Sequence, residues 1–161
     1  MTSCVFPGSF DPVTLGHMDL IRRASKMYDQ VTVTVMVNIH KKGTFDPETR
    51  VNLLQKACEE IANVHVDRWE GLLADYMKKQ GESIVIRGAR SAGEFETETV
   101  NARINAMLLN GLETVFIPAG NGLECVSSTA VREIAAFGGD IKPFVPSIVA
   151  DDIEKILKEE R

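Results

Sequence analysis

No stretch of the chain approaches the roughly 20 consecutive apolar residues that a membrane-crossing helix needs. The first residues also lack a basic stretch leading into an apolar one, the mark of a secretory signal. Both absences point to the cytoplasm and to no membrane role. Cysteine is scarce: Cys4, Cys58 and Cys125 are far apart, odd in number and outside any zinc-like spacing. Cys4 lies in an apolar run and Cys58 on an apolar helical stripe, so both read as buried thiols. Cys125 falls in a loop suited to a ligand. Positive charge is short as well, with 18 Lys and Arg against 23 Asp and Glu and a net charge of −5. That balance argues against a nucleic-acid binder. It leaves a small anionic substrate open, because a few local cations and backbone N–H groups suffice for one. Repeats, linkers and low-complexity tracts are missing too, so residues 1–161 read as a single domain, long enough to bury a full core.

What is present is an alternation of strand and helix. Ser3 to Phe6 is a short apolar run, a first strand. Leu20, Ile21, Ala24, Met27 and Tyr28 recur at helical spacing and predict a helix from about His17 to Tyr28. Val31 to Val37 is rich in β-branched residues and reads as a second strand. Asp46 followed by Pro47 opens a helix with the stripe Val51, Leu54, Cys58, Ile61. A short strand at Val64–Val66 follows, then a helix at Leu72–Lys79 ended by Gly81. Ser83 to Ile86 is the fourth strand and Glu94 to Leu109 a long helix. Glu113 to Ile117 is the fifth strand. A glycine-containing loop leads to a helix starting near Ser127–Thr129, and Pro146 opens a last amphipathic helix. This order implies an α/β protein: a Rossmann-like, open, parallel five-stranded sheet with helices on both faces. In such sheets ligands bind beyond the carboxyl ends of the strands. The loops there carry Ser9 to His17, Lys41, Arg87 with Arg90, and Ser127 to Thr129.

In the first of these loops, Pro7-Gly8 permits a tight turn and close backbone approach. Gly16 and His17 open a helix whose exposed N–H groups attract anions. A histidine there feels the positive end of the helix dipole, which disfavours its charged form. The neutral ring can still donate to a phosphate oxygen. The run is not a Walker A loop, since Gly-Lys-Ser/Thr is missing, nor a Gly-x-Gly-x-x-Gly dinucleotide turn. Lys42 and Arg132 read as outer or solvated cations, and His40 and His65 as structural or exposed.

Thr14-Leu15-Gly16-His17 resembles the T/H-x-G-H signature of the nucleotidyltransferase superfamily. His40 to Phe45 with Glu48 and Arg50, Ile86 to Arg90 with Glu94 to Glu98, and Val126 to Thr129 are similar to segments of the bacterial phosphopantetheine adenylyltransferase family, in that family's order. The resemblance spans essentially the whole chain. It implies adenylyl transfer from ATP to 4′-phosphopantetheine, giving dephospho-coenzyme A and pyrophosphate, the penultimate step of coenzyme A synthesis. The substrate's phosphate attacks the α-phosphorus directly, so catalysis is positioning and charge stabilisation.

Site roles follow from the same resemblance. His17, Lys41 and Arg90 are the expected catalytic groups, with His17 stabilising charge on the α-phosphate. Ser9, Lys41, Leu73 and Arg87 are expected on the pantetheine substrate. Ser9, Phe10, His17, Gly88, Ala89, Arg90 and Glu98 are expected on ATP, together with the loop Glu124, Cys125, Val126, Ser127, Ser128, Thr129 and Ala130. Mg²⁺ is expected to ride on the triphosphate with no named protein ligand. A homohexamer, built as a dimer of trimers, and feedback inhibition by coenzyme A are further implications. Two other readings compete: the same superfamily with another acceptor, such as nicotinamide mononucleotide or glycerol 3-phosphate with CTP, and a silent nucleotide-binding regulator. Lys41 together with the Arg87-to-Glu98 segment weighs against the first, and intact His17, Lys41 and Arg87 against the second.

Overall fold

The computed structural model of the chain describes residues 1–159. Strand β1 (Ser3–Gly8), helix α1 (Leu15–Met27) and strand β2 (Gln30–Val37) form the first parallel unit. Helix α2 (Pro47–Cys58), strand β3 (Val64–Glu70), helix α3 (Leu73–Gln80) and strand β4 (Ile84–Ala89) follow. Helix α4 (Ala92–Leu108), strand β5 (Glu113–Pro118), helix α5 (Ser128–Ala136), a 3₁₀ turn (Lys142–Phe144) and helix α6 (Ser147–Glu159) complete the order. All five strands pair in parallel, in the order β3-β2-β1-β4-β5. The expected sheet is thus present.

Alternate side chains of β1 serve two cores, as a strand's period of two requires. Cys4 and Phe6 join α1, α2, α5 and α6 on one face, through Ile21, Leu54, Val131 and Ile153. Val5 joins Tyr76 and Met77 of α3 and Leu112 on the other. Cys4 and Cys58 are buried thiols, as expected, and burial pushes their pKa values up to about 12 and about 11. Helices α1 and α2 carry the chain outward from β1 to β3, and α3 then crosses back over the other face to place β4 on the far side of β1. The β1–β4 boundary is therefore the topological switch point, where the following loops splay apart and leave a crevice.

Three strands run well past the sequence pattern, and the first of them, β1, continues past Phe6 through Pro7 and Gly8, paired with Thr34 and Val35 of β2, so the turn begins at Ser9. Strand β3 continues past Val66 through Asp67, Arg68 and Glu70, all paired with β2. It is an edge strand, so polar side chains suit its open side and hide it from an apolar count. Strand β4 continues past Ile86 through Arg87, Gly88 and Ala89, paired with Phe116, Ile117 and Pro118. Arg87 is therefore a strand residue and not a loop residue. Gly88 lets α1 pack closely: a Cβ there would press on Leu20 Cδ1, which would have to move aside. Helix α1 begins two residues earlier than expected, at Leu15.

Candidate active site

The T-x-G-H run acts first as a helix cap. Thr14 is the N-cap of α1 and His17 its third residue. Thr14 Oγ1 accepts the His17 N–H at 3.3 Å, while the Thr14 N–H donates to His17 Nδ1 at 3.1 Å. This is a capping box in which histidine takes the place usually filled by Glu or Gln. An Nδ1 that accepts a hydrogen bond carries no proton, so the neutral ring holds its proton on Nε2. Burial, and then the positive charges of Arg90 and Arg87, lower the His17 pKa from 6.5 to about 4. At neutral pH the ring is an uncharged donor. Phe10 supports it from below, with ring centroids 4.8 Å apart, and Phe10 in turn packs on Phe6 at 5.5 Å. Phe10 adopts a φ of 46°, unfavourable for a bulky residue, and its ring is buried in return. Gly8 permits that turn, since a Cβ there would meet the Phe10 ring at 3.0 Å.

The switch-point crevice holds two adjoining cavities. The first, of about 300 Å³, is lined by Phe10, His17, Gly88, Ala89, Arg90 and the segment Val126 to Thr129. The second, of about 500 Å³, is lined by Lys41, Leu73 and Glu98, with Met36, Asn101 and Asn105. Pro7, Gly8, Ser9 and Arg87 border both, so the cavities meet at the end of β1. Nearly every expected site residue is thereby gathered at one crevice. Glu98 stands in the second cavity, not the first. Glu124 and Cys125 are exposed and line neither, and the Ala130 N–H is taken by Ser127 Oγ at 3.1 Å.

Ion pairs fix the cations at the rim. Arg87 Nε donates to Glu98 Oε2 at 2.8 Å and its Nη1 to the Pro7 carbonyl at 2.8 Å. The guanidinium thus bridges β4, α4 and the end of β1. Arg90 Nη2 pairs with Glu94 Oε1 at 2.7 Å, and Glu94 also accepts the Arg90 N–H at 2.7 Å. The Arg90 guanidinium, mainly by hydrogen bonding, holds the Glu94 carboxyl below its ordinary pKa. Ser127 caps α5, and Ser128 Oγ donates to the Pro12 carbonyl at 2.7 Å, fastening α5 to the first loop. The start of α5 therefore faces the first cavity with its positive end. Lys41 stands exposed on the irregular segment after β2.

Arg132, read from sequence as an outer cation, lines the first cavity and donates to the Asp11 carbonyl and, at 3.3 Å, to Thr129 Oγ1. Its spacing of one helical turn from Thr129 was the available signal. Asn101 and Asn105 were also missed, while Thr14 and Glu94 enter the sequence reading only as members of motifs, without a role of their own. His40 and His65 are exposed, in line with their reading. Among the described residues no group of three or more His, Cys, Asp or Glu gathers as a metal site, and no helix is long and apolar enough to cross a membrane.

Two cavities that meet across a switch point can hold a nucleotide and an acceptor side by side, which is what a nucleotidyltransferase needs. The cytidylyltransferase-like family model matches residues 5–134. A nicotinic acid mononucleotide adenylyltransferase from Plasmodium falciparum, solved with NaAD, shares the fold at a TM-score of 0.71 and 15% identity, over 95% of this chain and 94% of that one. Within that class, the chain belongs to the phosphopantetheine adenylyltransferase family. A phosphopantetheine adenylyltransferase from Clostridium perfringens is 43% identical over 98% of this chain and 96% of its own. One from Finegoldia magna is 44% identical over 96% and 95%.

Proposed function

We propose that this enzyme joins the adenylyl group of ATP to 4′-phosphopantetheine, giving dephospho-coenzyme A and pyrophosphate, with ATP in the first cavity and the acceptor in the second. The observation that carries this is the meeting of the two cavities at Ser9 and Arg87. A phosphate held there by Lys41 and Arg87 borders the nucleotide cavity. An oxygen of that phosphate attacks the α-phosphorus, the bond from it to the bridging oxygen breaks, and pyrophosphate leaves with the electron pair. No enzyme nucleophile takes part.

His17 Nε2–H donates to the α-phosphate as charge builds on it, a preorganised donor in a partly buried wall. Gly88 and Ala89 let the nucleotide approach the backbone closely, and Arg90, Arg132 and the start of α5 receive the β- and γ-phosphates. Leu73 lies along the pantetheine arm, with the carboxamides of Asn101 and Asn105 facing the arm's amides. Glu98 serves by holding Arg87. Leu123 and Val126, which line the first cavity, border the adenosine.

The first cavity offers cations and N–H groups, and its carboxylate Glu94 is engaged by Arg90. That donor set suits Mg²⁺ carried on the triphosphate with its own waters, supplying charge neutralisation. Coenzyme A, which shares the product's scaffold, is expected to compete across both cavities. The enzyme works in the cytoplasm as a homohexamer. Helix α4 supports assembly, since Val100, Ile104, Met107 and Leu108 are exposed on it.

The test is pyrophosphate release from ATP and Mg²⁺ with alternative acceptors. Turnover with 4′-phosphopantetheine is expected. Turnover with nicotinamide mononucleotide alone would refute the assignment.

A further inference from the structure

We propose that Asp11 is a positioning residue for the transfer, because its carboxylate ties the segment carrying Lys41 to the loop carrying Ser9. This rests on the reading that Lys41 holds the acceptor's phosphate. Lys41 is exposed, and among the described residues only bonds to Asn38 shape the chain next to it: the Lys41 N–H donates to the Asn38 carbonyl at 3.1 Å and the His40 N–H to Asn38 Oδ1 at 2.9 Å. The anchor comes just afterwards. Asp11 is buried; its Oδ2 accepts the Thr44 N–H at 2.9 Å and its Oδ1 the Phe45 N–H at 2.8 Å.

Three neighbours close this joint. Phe45 is buried next to it, at 1% exposure. Arg50, buried on α2, reaches across to donate from Nη1 to the Ser9 carbonyl at 3.1 Å. Gly43 fits between them: a Cβ there would lie 3.3 Å from Asp11 Oδ2, 3.3 Å from Arg50 Nη2 and 3.1 Å from the Phe45 carbonyl. On the other side Arg132, in the wall of the nucleotide cavity, donates to the Asp11 carbonyl and pairs with its Oδ2 at 4.0 Å. One residue thus sets the distance between the lysine of one cavity and the phosphate cradle of the other. Both carboxylate oxygens are used, so a carboxamide is no substitute. Its NH₂ would face a backbone N–H, donor against donor.

Steady-state kinetics with ATP and 4′-phosphopantetheine, on the full-length enzyme, test this in Asp11→Asn, Gly43→Ala and Lys41→Ala and their combinations. Asp11→Asn is expected to raise the acceptor KM by about tenfold or more, the scale of losing a charged hydrogen bond. The ATP dissociation constant should change less than the acceptor KM, although Asp11 also pairs with Arg132, and Asp11→Asn should add little once Lys41 is already alanine, because the two act as one unit. Gly43→Ala should move the acceptor KM in the same direction, and it decides the matter alone if Asp11→Asn does not fold. An unchanged acceptor KM, an equal loss of ATP affinity, or full additivity with Lys41→Ala would overturn the proposal. Lys41→Ala by itself separates the two ideas. If it leaves the acceptor KM unchanged, the reading of Lys41 fails and the proposal with it. If it raises that KM but the effects add, only the role of Asp11 fails.

Discussion

His17 shows how one side chain is committed to one task. Its Nδ1 is occupied by the Thr14 N–H, and its surroundings keep the ring neutral, with a pKa of about 4. A neutral ring with its proton on Nε2 donates a hydrogen bond but does not compete with Arg87 and Arg90 as a cation. Replacing it with alanine is expected to lower kcat by ~10²–10³ while ATP binding, followed by calorimetry, largely survives. Equal losses in both would mean that His17 mainly holds the ground state. The depressed pKa also sets a pH dependence of stability. An unfolded chain protonates this histidine near pH 6.5, and the folded one only near pH 4. Between those values the unfolded state binds more protons, so the stability contributed by the neutral ring is complete above pH 6.5 and is lost as pH falls through about 4. Urea unfolding of His17→Gln should show a shallower decline over this window than the wild type. An identical decline would mean the ring is not held neutral.

At the scale of elements, the helix start and the chemistry share the same atoms. Thr14→Val keeps the shape and removes Oγ1, which accepts the His17 N–H at 3.3 Å. It is expected to cost about 1 kcal/mol of stability by denaturant titration, and to lower kcat by loosening the ring. A stability loss with kcat intact would separate cap from catalysis. The sequence made much of this frame legible. Strand-rich β-branched runs and capped, striped helices predicted five parallel strands and placed Ser9, Lys41, Arg87 and Ser127 on one rim. What it concealed were contacts across long separations. Arg87 looked like a loop residue because its charge and Gly88 end the apolar run, yet β5 pairs with both. Edge strand β3 was cut short for the same reason, its outer half being polar. Arg132 looked solvated because only the folded first loop brings the Asp11 carbonyl to it. Glu98 was expected on the nucleotide, but helix α4 presents it to Arg87 in the other cavity.

At the scale of the whole molecule, α4 stands apart. None of its side chains is buried, and Met107 is 87% exposed. An apolar helix face of this kind is stabilised by covering it, at roughly 25 cal/mol per Å² removed from water. Sedimentation velocity is expected to show a hexamer, and Leu108→Asp to shift it to smaller species. A monomer at micromolar concentration would refute the assembly. The crevice makes a stricter demand. With two cavities meeting at Ser9 and Arg87, the proposed reading requires the acceptor's oxygen to reach the α-phosphorus from the side opposite the departing pyrophosphate, in one displacement. The stereochemical course at that phosphorus tests this most directly. With ATP carrying a chiral α-phosphorothioate and 4′-phosphopantetheine as acceptor, the account predicts inversion of configuration in the product. Retention would require two displacements through an adenylylated enzyme, and would contradict direct transfer between the cavities.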